Sequence, residues 1–107
     1  MEIPFARIKG GVGAPQGFLA SAVSCGIKNP ASDRLDLALI YSENPCASAG
    51  TFTTNRVKAA PVRVSQAHLR RGDLRAIIAN SGNANACTGV LGIRDANAMC
   101  DAVAKPL

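Results

Sequence analysis

The chain has 107 residues, enough for one small domain with a modest core. Its hydrophobic content of 48% argues against disorder, and its few aromatics (three Phe, one Tyr, no Trp) give nucleic-acid binding by base stacking little to work with. The net charge of +5 arises from 12 basic and 7 acidic residues without a long basic run, so charge alone does not make an RNA- or DNA-binding protein.

Met1–Pro15 reads as an extended lead-in broken by Gly10, Gly11, Gly13 and Pro15. It has no apolar segment of the kind a secretory signal needs, and no run of 18 apolar residues occurs anywhere. The expectation is a cytoplasmic protein with reduced thiols and no membrane association. Gly17–Ile27 is a strand candidate, with Leu19, Val23, Cys25 and Ile27 on one face and the small Ala20, Ala22 and Ser24 on the other. Asn29–Asp33 is a turn, and Leu35–Tyr41 alternates well enough to pair with the first strand as a long-looped hairpin. Asp36 reads as a surface residue at the strand start.

After the turn Ser42–Pro45, Ala49–Thr54 reads as a third strand because threonine and phenylalanine favour that conformation. Val57–Val64 reads as extended, with Pro61 confining it to an edge or a bulge. Ser65 can cap a short helix, Gln66–Arg71, which Gly72 would end. Leu74–Ala79 is a short apolar run that reads as a buried strand. From Thr88 or Val90 to Ala104, Ile93, Ala96, Cys100 and Val103 recur at spacings of 3, 4 and 3, one face of a long helix. Arg94, Asn97 and Asp101 fall on the opposite face, Lys105 suits the helix C-terminal dipole, and Pro106 stops the helix. Four or five strands before one long helix give an α+β class with a mostly antiparallel sheet.

Strand, small-residue loop and helix start come together at Asn80–Arg94, a common way to aim bare backbone N–H groups at negative charge. Gly82 and Gly89 permit close approach there, and Asn80, Ser81, Asn83, Asn85 and Thr88 supply hydrogen-bonding side chains. Neither GxxxxGK[ST] nor GxGxxG is present. By spacing alone the stretch is either an anion site or a polar turn followed by a helix that Thr88 caps.

The four cysteines, Cys25, Cys46, Cys87 and Cys100, form no CxxC and no zinc-type spacing, so no metal site is expected. Cys25 and Cys100 read as small core residues. A nucleophilic Cys87 would need a positioned base, and the single histidine, His68, lies in another segment on a predicted helix. Of the basic residues, Arg70, Arg71 and Arg75 cluster, as do Arg56, Lys58 and Arg63; either group suits phosphate or an acidic substrate as well as it suits a solvated face.

NSGNANACTG, Asn80–Gly89, resembles the oxyanion loop of the ornithine acetyltransferase family, the bifunctional glutamate N-acetyltransferases of arginine biosynthesis. GGVGAPQGFLASAVSCGIK, Gly10–Lys28, and AGTFTTNRVKAAPVRVS, Ala49–Ser65, resemble the same family in the same order. The resemblance covers nearly the whole chain, from Gly10 to about Val103, and would place it in the N-terminal part of the family's first (alpha) chain. One departure is Gly13, where the family usually carries Thr; any hydroxyl role there is lost.

The resemblance implies a layered sandwich of helices around two stacked sheets, of which residues 1–107 would be a single, incomplete domain. It implies transfer of an acetyl group from N-acetylornithine to glutamate, with acetyl-coenzyme A a second donor in some members and no other cofactor. It implies a precursor that cuts itself before a Thr, which becomes the N-terminal nucleophile of a beta chain in an alpha2-beta2 tetramer. The oxyanion donors fall on Thr88 and Gly89. The family's cleavage motif, which reads like MATML, does not occur in this sequence, and none of Thr51, Thr53, Thr54 and Thr88 follows Met-Ala. The expectation is a piece of the enzyme that holds oxyanion donors but neither nucleophile nor base, and so is inactive by itself. A non-catalytic subunit derived from the family, or a small basic nucleic-acid-binding domain, are the alternative readings.

Overall fold

In the computed structural model, which describes residues 4–107, a single 3-10 turn (Gly11–Gly13) interrupts the lead-in read as extended, and three strands and two α-helices follow in the order β, β, α, β, α. The first three residues of the expected lead-in lie outside that range. Strand β1 (Phe18–Val23) pairs antiparallel with β2 (Leu37–Ser42), and β2 pairs antiparallel with β3 (Ala76–Asn80). The sheet order is β1-β2-β3, so the first two strands form the expected long-looped hairpin. Phe18 faces Ser42 and Val23 faces Leu37 across it. Strand β1 ends sooner than its alternation suggests, and Gly26 adopts a φ of 64° in the connection that follows.

Asp36 holds that connection closed. Its Oδ1 accepts from the Cys25 amide at 2.6 Å and its Oδ2 from the Ile27 amide at 2.8 Å. Its own carbonyl accepts from the Ser81 amide at 2.9 Å, joining the hairpin to the end of β3. A carboxylate satisfied by two backbone donors favours its charged form, and these two bonds, from Cys25 and then Ile27, lower its pKa below the ordinary 3.8. Asp36 is therefore a structural clamp, not a plain surface residue. Cys25 is exposed, contrary to its reading as a core residue, because the chain turns outward at the clamp.

Helix α1 spans Ala60–Arg71, which overturns both the extended Val57–Val64 and the short helix from Gln66. Pro61 lies in the first turn, where a missing N–H costs nothing and a fixed φ suits the helix. Ser65 is an interior residue of α1, not its cap. Gly72 ends α1 as expected, at a φ of 90° with its amide on the His68 carbonyl. The Ala49–Thr54 segment is not a strand. Gly50 instead sits beside the Leu69 side chain of α1 and the Phe52 ring, and the threonine-rich run pairs with none of the three strands.

Helix α2 spans Gly89–Ala104 and packs on α1. Ala60 and Val64 of α1 and Ala96 of α2 form the buried core, with Ile93 and Cys100 packed against it. This is the face read from the 3-4-3 spacing. Asn97 departs from the solvent face assigned to it: it is half-buried, and its Nδ2 donates to the Ile93 carbonyl at 3.0 Å. The class is α+β with an antiparallel sheet of three strands, fewer than the four or five expected, because Ala49–Thr54 and Val57–Val64 do not join it.

Helix packing leaves much of the sheet bare. Strand β3 is only half-covered, with Ile77 63% exposed, so it is not the buried strand its composition suggests. Ala20, Ala22, Ala38 and Ala79 are exposed on the same sheet face as Ile77. The accessible surface is 8753 Å². A compact monomer of this mass would expose about 5,600 Å². The radius of gyration, 15.9 Å, exceeds the roughly 13 Å of a compact chain of this length.

Candidate functional site

The loop from β3 to α2 carries the residues singled out in the sequence. Asn80 is the last residue of β3, and Ser81–Thr88 connects it to Gly89, the first of α2. Gly82 turns at a φ of 102°, where a β-carbon would meet that of Lys28 at 3.0 Å. The loop is thus wedged against the hairpin connection. At its far end the Asn85 carbonyl accepts from the Ala60 amide at 3.2 Å, tying it to the start of α1.

The turn into α2 alternates in handedness. Cys87 has a φ of 56°, Thr88 of −104° and Gly89 of 62°. Cys87 is the one non-glycine residue with positive φ among the described residues. Such alternation turns successive N–H groups toward one side and makes a concavity suited to an anion. Thr88 occupies the N-cap position, yet its side chain makes no capping bond, and no acidic residue lies in the first turn of α2. Thr88 and Gly89 are both exposed. The first-turn amides of α2 therefore carry their partial positive charge without a side-chain acceptor.

The Thr88 hydroxyl is directed instead to Asn85 Oδ1. Asn85 Nδ2 donates to the Gly92 carbonyl at 2.8 Å, which fixes which end of the amide faces Thr88. Gly92 is buried, and a β-carbon there would come within 2.7 Å of Thr88 Cβ. In the sequence Asn85 reads only as one polar loop residue, and Gly92 carries no reading of its own. The signal was present: Asn85, Thr88 and Gly92 are spaced by three and then four residues, the interval that stacks groups along a helix start.

The structure does not bring Cys87 and His68 together. The loop meets α1 at its first residue, Ala60, and His68 lies eight residues further along, about 12 Å by helical rise. His68 instead lines a groove of about 610 Å³ with Tyr41, Arg71, Arg75, Ile78 and Cys100. Cys100 lies 12 residues along α2 from Thr88, about 18 Å away, so this groove is separate from the loop. Burial and the adjacent Asp101 raise the Cys100 thiol pKa against a smaller opposing effect of Arg71. Arg75 folds over Tyr41, donating to the Tyr41 hydroxyl at 2.8 Å, the Ser42 carbonyl at 3.1 Å and the Glu43 carbonyl. Among the described residues no group of three or more His, Cys, Asp or Glu side chains could hold a metal, and no helix is long and apolar enough to cross a membrane.

Comparison with known proteins agrees with the segments noted in the sequence. The chain is 49% identical over 100 residues to the arginine biosynthesis bifunctional protein ArgJ of Symbiobacterium thermophilum, covering 94% of this chain and 25% of that protein. It is 56% identical over 98 residues to the ArgJ protein of Mycobacterium tuberculosis, covering 91% of this chain and 24% of that one. A crystal structure of ornithine acetyltransferase complexed with ornithine, from Mycobacterium tuberculosis, matches with a TM-score of 0.82 at 56% identity, over 89% of this chain and 49% of the other. The ArgJ protein of Bacillus halodurans matches with a TM-score of 0.76 at 44% identity, over 84% of this chain and 46% of that chain. The chain spans about a quarter of the length of the curated relatives it matches. The ArgJ family model covers residues 19–107, and the chain belongs to the ArgJ family.

Proposed function

We propose that this chain is the oxyanion-binding segment of an arginine-biosynthesis acetyltransferase that moves acetyl from N-acetylornithine to glutamate. The reading rests on one observation. The turn Cys87–Gly89 presents an exposed Thr88 hydroxyl and an uncapped helix start, within a fold that matches ornithine acetyltransferase at 56% identity. When a nucleophile attacks an acetyl carbonyl, its oxygen gains negative charge, and donors fixed beforehand near that oxygen lower the barrier. In this reading Thr88 supplies a hydroxyl donor and Gly89 a backbone N–H with no side chain to obstruct it.

The nucleophile, a threonine at the start of a beta chain cut from the same precursor, and its α-amino base lie outside these 107 residues. Residues 1–107 are then an incomplete domain of the alpha chain in an alpha2-beta2 assembly. Excess accessible surface and the bare sheet face fit a segment that the rest of a larger layered protein covers. Acetyl-coenzyme A is a second donor within the same chemistry, and the site asks for no metal.

The experiment is Thr88→Ala in the full-length protein, with kcat, KM and thermal melting measured together. Loss of one oxyanion donor lowers kcat roughly a hundred- to a thousandfold. KM changes much less, because the interaction forms mainly in the transition state. A variant that turns over within a fewfold of wild type would remove Thr88 from the oxyanion site.

A further inference from the structure

Thr88 has one hydroxyl hydrogen, and in this structure Asn85 Oδ1 accepts it. The arrangement is not a matter of which way the Asn85 amide is drawn. Its Nδ2 donates to the Gly92 carbonyl at 2.8 Å; reversing the amide would set two acceptor oxygens against each other there. The Asn85 backbone is held independently by the Ala60 amide. On the other side, Gly92 leaves no more room than Thr88 needs. The Thr88 side chain is thus held by a side-chain amide that is itself anchored at two points.

We propose that Asn85 is the positioning residue of the oxyanion donors. It holds the Thr88 oxygen in place before reaction, by accepting the hydroxyl hydrogen that Thr88 turns toward the carbonyl oxygen as negative charge develops there. The exchange trades a bond to a neutral amide oxygen for one to an ionised acceptor, roughly twice as strong, and that gain has to exceed the repulsion between Thr88 Oγ1 and Asn85 Oδ1 once the hydrogen has left their contact. No bond to carbon or proton transfer is involved; one hydroxyl hydrogen rotates from one acceptor to another. This inference rests on the oxyanion role proposed for Thr88.

Its test is a double-mutant cycle in the full-length protein, assayed for acetyl transfer from N-acetylornithine to glutamate. Asn85→Ala is expected to lower kcat about ten- to a hundredfold, the scale of a misplaced catalytic group, with KM nearly unchanged. In a Thr88→Ala background the same substitution should cost no further activity, since its effect passes through Thr88. Equal losses from Asn85→Ala in both backgrounds, or wild-type kcat for Asn85→Ala, would overturn the role of Asn85 while leaving Thr88 in place. Wild-type kcat for Thr88→Ala would instead remove the oxyanion reading itself. If Asn85→Ala does not fold, Asn85→Asp keeps the shape and the oxygen facing Thr88. Its activity relative to wild type should rise as pH falls, because protonation restores the donor to the Gly92 carbonyl and removes the charge beside the oxyanion. A ratio flat with pH would overturn the proposal.

Discussion

The carboxylate of Asp36, at the foot of β2, reaches back across the hairpin to the amide of Cys25, 2.6 Å from oxygen to nitrogen. The second oxygen takes the Ile27 amide, so one side chain closes a connection that no strand pairing holds. Asp36→Asn would set an NH2 group against one of those two backbone donors. The expected result is a lower melting temperature and faster hydrogen exchange in residues 24–28, read by mass spectrometry on the full-length protein. The depressed pKa fixes the pH dependence. Its stabilisation is fully present above the unfolded value, near 3.8, and is lost as pH falls through the lower folded value. The difference between wild type and Asp36→Asn should therefore persist at neutral pH and shrink below about pH 4. A difference unchanged at acid pH would place the effect elsewhere than in the charged carboxylate.

Gly92→Ala puts a methyl group where Thr88 already stands. Overpacking of this kind costs about 1–3 kcal/mol. Melting should fall accordingly, and kcat should fall with it if the turn carries the oxyanion. Substitution of Val90, two residues before Gly92 and exposed, should do neither.

Cys87→Ala and His68→Ala should each retain most acetyl transfer in the full-length protein, because α1 holds the two side chains apart. A thousandfold loss from either, in a folded variant, would revive a thiol mechanism. Alkylation provides a separate check. Cys100, half-buried and raised in pKa, should modify more slowly than the exposed Cys87 in the folded full-length protein.

The isolated 107 residues should associate or remain partly folded in sedimentation experiments. Among the described residues only Ala60, Val64 and Ala96 are buried hydrophobics, while Leu19, Val23 and Ile77 stand in the open. Both outer strands also present unpaired edges. A sharp, reversible melt of a monomer would contradict this.

Where local pattern and packing agree, the sequence is a good guide. The alternation of Leu37, Leu39 and Tyr41 and the 3-4-3 spacing of α2 each describe a face that the fold uses. Threonine-rich Ala49–Thr54 misleads, because a tendency to extend becomes a strand only beside a free partner edge. Pro61 misleads for the opposite reason: it is compatible with an edge strand and with a helix start, and only the contact of Val64 with Ala96 separates the two. Around the candidate site, the loop, its glycines and the start of α2 near Thr88 were legible. The engagement of Asn85 with both Thr88 and Gly92 was not, since it depends on which atoms of an amide face which neighbours. Likewise, the clamp by Asp36 depends on the path of a loop that carries no periodicity.

Cys87 keeps a β-carbon at a φ of 56°, in the left-handed region. A residue there carries a backbone energy of about 1–3 kcal/mol that the surrounding fold must sustain. Glycine would release that energy, and it would also widen the range of conformations open to the peptide just ahead of Thr88. Stability and aim therefore pull in opposite directions at this single position: the substitution that relaxes the chain is the one that loosens its grip on where the donors point.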